Sequence, residues 1–150
     1  MKATYGIFVI LLLGLASCSV RPQPINYGSD GCQYCSMTIV DKQHAAQYVT
    51  HKGKVFKFDA TECMMNTLRE VDRESIALYL VNDFETPGEL INATEATYLI
   101  SKNIPSPMGE YLSAFKNREV AERVQAANEG ILLTWTELQQ RFKDKTVLMQ

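Results

Sequence analysis

Cys32, Cys35 and Met37 set two thiols and a thioether within the six-residue run Cys-Gln-Tyr-Cys-Ser-Met. Thiolate and thioether sulfurs are polarisable donors that suit Cu(I), whereas Mg and Ca ions take hard oxygen ligands. A cysteine pair at i and i+3 also serves redox disulfides and structural zinc, so the neighbouring residues must discriminate. A thioredoxin-like pair follows a strand and opens a helix. This pair instead follows a stretch rich in Gly, Ser, Asn and Pro near the start of the chain. Closed zinc needs four nitrogen or sulfur ligands, which Cys32, Cys35, Cys63 and either His44 or His51 would supply. Zinc leaves Met37 without a role, because a thioether is a poor ligand for it. If the backbone is extended from Cys35 to Met37, the two side chains share one side.

Further sulfurs lie downstream. Met108 stands between Pro107 and Gly109, in a loop with no helical apolar stripe to join, and reads as a presented thioether. Met64 and Met65 are gap-filling core residues as readily as donors. Met64 falls on the expected buried face of a helix and is a secondary candidate, as are Cys63 and Cys32. His44 and His51 are equally consistent with positions on a hairpin. The sequence displays no Ser-His-Asp arrangement, phosphate-cradling glycine loop, nucleotide fingerprint or His-Glu-x-x-His helix, so nothing points to an enzyme.

The first seventeen residues carry Lys2, an apolar run from Tyr5 to Leu15, and then Ala16 and Ser17 before Cys18. A spanning helix needs roughly 20 apolar residues, and Arg21, Pro22 and Pro24 end this run too soon. Leu-Ala-Ser-Cys is the pattern of a bacterial lipobox, so residues 1–17 are expected to be removed and Cys18 acylated as a membrane anchor. Residues 18–30 are the expected tether, 31–143 the domain and 144–150 a frayed tail. The mature chain would hold 14 Lys and Arg against 17 Asp and Glu, a net charge of about -3. Such a balance supplies no basic stripe for nucleic acid and no polybasic membrane patch. Once Cys18 is set aside, Cys32, Cys35 and Cys63 form an odd set, which leaves a thiol unpaired in an oxidising compartment unless a metal protects it.

Residues 44–51 and Val55 to Phe58 predict a hairpin around Lys52-Gly53-Lys54. Asp59 and Glu62 form a capping-box pattern, with a helix from about Ala60 carrying Met64, Leu68 and Val71 on its buried face. Strands are expected at Ile76 to Val81, within Thr97 to Ile100 and at Gly130 to Thr134. Ala114 to Asn128 is expected to be mostly helical. Thr134 and Glu137 form a second capping box before a helix to about Phe142. Strand, capping box and helix thus occur at Gly53 to Glu70 and again at Gly130 to Phe142, which suggests two ββα-type halves in an α+β fold with small antiparallel sheets.

The chain resembles the NosL family of copper lipoproteins accessory to nitrous oxide reductase. The likeness lies in Cys32 to Met37, Lys54 to Met64, Ser106-Pro107-Met108-Gly109 with Ala114-Phe115, and Gly130 to Leu138. It implies an α+β fold of paired ββα units and a Cu(I) chaperone on the periplasmic side. Such a chaperone delivers copper for the reductase's copper centre beside an ABC-type transporter complex. Its motifs imply Cys35, Met37 and Met108 as the primary ligands. Relatives often carry Gly where this chain has Ser36, and only some share Cys63.

Overall fold

The computed structural model describes residues 19–147, so the expected export segment and the expected anchor at Cys18 lie outside the described residues. The expected hairpin is present as β1 (Ala46–Thr50) and β2 (Val55–Phe58), with Ala46 opposite Phe58 and Val49 opposite Val55. Helix α1 (Thr61–Thr67) crosses over, and β3 (Ile76–Asn82) returns antiparallel along the other side of β1. The short β4 (Leu90–Asn92), which sequence reasoning missed, extends this sheet to the order β2-β1-β3-β4.

The same scheme recurs. β5 (Thr97–Ile100) and β6 (Leu112–Phe115) pair, α2 (Arg118–Asn128) crosses, and β7 (Ile131–Leu133) returns to give the order β6-β5-β7. Each half is therefore ββαβ with its first strand in the centre. The repeat begins at β1 and at β5, not at Gly53 and Gly130 as the capping boxes suggested. α3 (Trp135–Val147) lies outside it.

Helix was expected from Ala114, but Leu112 to Phe115 forms a strand. All four of its residues are buried, so no polar alternation marks it as one. Period two nevertheless sorts the side chains of the second sheet. Tyr98, Leu112 and Ala114 join the main core with Phe58, Met64, Leu138 and Phe142. Leu99 and Phe115 meet Ala121 and Val124 of α2 on the opposite face. Trp135 then bridges the sheets, with ring centroids 5.5 Å from Tyr79 and 6.1 Å from Tyr98.

The two capping boxes differ in outcome. At α3, Glu137 accepts from the Thr134 amide at 2.7 Å and from its hydroxyl at 2.8 Å, while the Glu137 amide donates back to Oγ1. At α1 no side chain caps the helix, because Asp59 and Glu62 are both buried. The segment expected to fray after Lys143 remains helical to Val147, with Lys145 paired to Glu110. From Gln23 onward the expected tether lies on the sheet. Gln23 exchanges two hydrogen bonds with the buried Gln47 amide, and Lys57 donates to the Pro24 carbonyl. No described helix is long and apolar enough to cross a membrane.

Candidate metal centre

The Cys32 to Met37 run is a closed loop. A bridge between Gly31 and Thr38 seals its ends, and the Cys32 amide donates to the Met37 carbonyl at 2.8 Å. The amide of Gln33 donates to the Lys57 carbonyl and docks the loop on β2. Ser36 turns the chain at φ 63, a left-handed conformation that glycine adopts more easily. The extended backbone expected between Cys35 and Met37 is therefore absent. Cys32 is turned inward at 4% exposure, Cys35 is half-buried, and Met37 is 56% exposed.

Helix α1 supplies the third thiol. Its buried face carries Cys63, which is fully enclosed, and the sulfurs of Cys32, Cys35 and Cys63 all lie within 4.8 Å of one another. Sequence reasoning ranked Cys63 and Cys32 behind the Cys35, Met37 and Met108 set; the fold brings both onto Cys35. The signal for Cys63 was present in its place on the helix face, but the contact depends on how the loop docks.

These thiols do not ionise alike. The Cys63 thiol donates to Cys32, and the amides of Asp59, Cys35 and Tyr34 face the same sulfur, so Cys32 is drawn down from 9.0 to about 5 despite burial. Cys63 is driven far up, chiefly because it is the donor to Cys32, and by its burial. Burial raises Cys35 as well. The cluster thus favours ionisation at Cys32 and disfavours it at Cys35 and Cys63. Metal–thiolate bonds of about 2.3 Å place three ligating sulfurs about 4 Å apart, so the observed spacing suits a thiophilic ion after slight closure. Among the described residues the Cys, His, Asp and Glu group at this spacing has three members, one fewer than closed zinc requires.

The histidines are placed elsewhere. His44 Nδ1 meets Asp41 at 2.9 Å and Nε2 meets the Ser113 hydroxyl at 3.2 Å, while His51 is exposed at the far end of the hairpin. Asp41, His44 and Ser113 thus align as a Ser-His-Asp trio that sequence separation concealed. Ser113 is 1% exposed on β6, so no substrate carbonyl reaches its hydroxyl, and the trio ties the two halves together. Met64 and Met65 are fully buried, Met64 in the same core as Cys32 and Cys63. Met108 is half-buried and packs against that core.

The buried acids were also missed as site residues, since their spacing read as a cap. Asp59 is buried with its Oδ1 unpartnered among the described residues, and burial together with the charge on Cys32 raises its pKa. Glu62 accepts from the Ser106 hydroxyl and from the Leu112 amide, and its burial likewise raises its pKa.

The model of the NosL family matches residues 24–142. The copper-binding lipoprotein NosL of Stutzerimonas stutzeri is 28% identical over 157 residues, an alignment covering 95% of this chain and 83% of that protein. A crystal structure of the copper chaperone NosL from Shewanella denitrificans has the same fold, with a TM-score of 0.69 at 22% identity. The match covers 79% of this chain and 96% of the other.

Proposed function

The chain belongs to the NosL family, and on that premise we propose that it is a lipid-anchored Cu(I) chaperone on the periplasmic side of the membrane. Its copper would serve assembly of the copper centre of nitrous oxide reductase, beside an ABC-type maturation complex. The names of its relatives, a copper-binding lipoprotein and a copper chaperone, support this reading. The observation that carries it is the convergence of three cysteine sulfurs, two enclosed and one half-open, within 4.8 Å. Copper is cargo here and must leave again. Cys35 and the exposed Met37 give an acceptor's sulfur or imidazole a point of entry while Cys32 and Cys63 still hold the ion from behind, so transfer proceeds by ligand exchange. Met108 supplies a donor from the second half of the fold.

Competition with a chromophoric Cu(I) chelator under anaerobic conditions tests the reading on the full chain purified in detergent. One Cu(I) should bind in preference to Zn(II), Cys35→Ser should weaken it most, and Met37→Leu and Met108→Leu should weaken it without loss of apo stability, since Leu preserves volume. Tight zinc with indifferent Cu(I) binding would overturn the copper assignment. Unchanged reductase maturation in cells lacking the protein would overturn the delivery role.

A further inference from the structure

We propose that Glu62 is a positioning residue for copper: it locks the Met108 turn to the helix that carries Cys63. The inference rests on the copper reading above and adds a residue outside the sulfur ligand set. Ser106 to Gly109 is a β-turn closed by the Gly109 amide on the Ser106 carbonyl at 3.0 Å, with Pro107 and Met108 as its central residues. The Ser106 hydroxyl accepts from the Tyr111 amide at 2.9 Å and donates to Glu62 Oε1. The same carboxylate oxygen receives the Leu112 amide at 3.4 Å, where the loop enters β6. One oxygen therefore secures the start of the turn and the strand that follows it.

Glu62 directly precedes Cys63 in α1, so the lock makes a thiol donor and the thioether turn parts of one body. The ion pair of Glu110 with Lys145, beside the turn, joins partly exposed side chains and is screened by water, and the bonds of Ser101 and Asn103 to the Asn128 carbonyl hold the start of the loop, ahead of the turn. Glu62 is 0% exposed, and its Oε2 has no hydrogen-bond partner among the described residues. Burying a half-satisfied carboxyl is costly, and helix capping at the surface would have avoided that cost. What the buried position gains is the hold on the Met108 turn.

The test measures Cu(I) affinity by chelator competition, sulfur coordination by X-ray absorption, and apo unfolding, on the full chain in detergent. Glu62→Ala and Ser106→Ala are compared with Glu62→Gln, each with and without Met108→Leu. If the released turn occupies its site about a tenth of the time, affinity falls about tenfold in the two alanine variants. Sulfur coordination of the copper-loaded protein falls toward that of Met108→Leu. Adding Met108→Leu then costs little more, the non-additivity expected of residues acting as a unit. Glu62→Gln keeps an acceptor oxygen and should retain affinity. Should Glu62→Ala fail to fold, Ser106→Ala, which removes only one hydroxyl, carries the comparison. Wild-type affinity in Ser106→Ala while Met108→Leu is weak, full additivity, or a glutamine variant as weak as the alanine one would each overturn the positioning role alone. No Cu(I) uptake by the unaltered chain would overturn the copper reading and this inference with it.

Discussion

Replacing Cys32 with alanine should flatten the pH dependence of stability in the reduced, copper-free protein. Cys32 moves from the ordinary thiol value of 9.0 to about 5 on folding. A depressed acid favours the fold when ionised, so its contribution is complete above pH 9 and disappears as pH falls toward 5. At 1.36 kcal/mol per unit the ceiling is about 5 kcal/mol. The single negative charge is shared among three neighbouring sulfurs, so about 2–4 kcal/mol is the expected difference between pH 5 and 9. Cys35 and Cys63 act with the opposite sign, because their raised values make ionisation above pH 9 favour the unfolded chain. Stability due to the cluster should thus climb from pH 5 and turn over near 9. Urea unfolding of wild type and Cys32→Ala across this range, under anaerobic conditions, measures the difference. Thiolate absorbance near 240 nm counts the ionised sulfurs. A first thiolate that appears only above pH 8, or parallel stability curves for the two proteins, would refute the hydrogen-bonded thiolate.

Three other substitutions probe the scaffold and the anchor. Gly130→Ala should destabilise by about 2–5 kcal/mol, because φ is 109 and a Cβ would stand 2.3 Å from the Ile100 carbonyl oxygen on the neighbouring strand. A thermal midpoint near wild type would contradict this. Thr134→Ala removes a formed capping box and should cost about 1 kcal/mol by urea unfolding, with Cu(I) affinity intact. Cys18→Ser should abolish acylation and release the chain from membranes, and mass spectrometry of the native protein showing an unmodified Cys18 would refute the anchor.

What the sequence revealed was what local chemistry decides. The hairpin, the Thr134 cap and the loop around Met108 each have their signal within a few residues. β6 stayed hidden because burial on both faces erased its alternation, and the Asp59 and Glu62 pattern misled because tertiary contacts outweighed a surface cap. Among the sulfurs, Cys35 stood out by spacing. The approach of Cys63 to Cys32 spans thirty-one positions and is set by Gln33 docking on β2 and α1 packing beneath, neither of which has a local signature. The alignment of Asp41, His44 and Ser113 was concealed in the same way.

On the copper reading, the gradation in burial gives one site the means both to hold the ion and to give it up. Cys63 is fully enclosed, Cys32 nearly so, Cys35 half-open and Met37 exposed. An ion held by the inner pair alone would be hard to displace, since an incoming ligand needs room beside the metal before an outgoing one can leave. An ion held by Met37 and Cys35 alone would be exposed to every thiol in its surroundings. Cys35 joins the two pairs, its sulfur within 4.8 Å of both inner thiols and its backbone two residues from Met37, so on the copper reading exchange would start on the Tyr34 to Val40 face, where Tyr34, Met37 and Val40 are exposed together. Left-handed Ser36 makes the tight turn between the half-open Cys35 sulfur and the exposed thioether possible. On the copper reading, an acceptor meets the weaker donors first and the buried thiols last, which favours transfer by direct contact over loss of the ion to water.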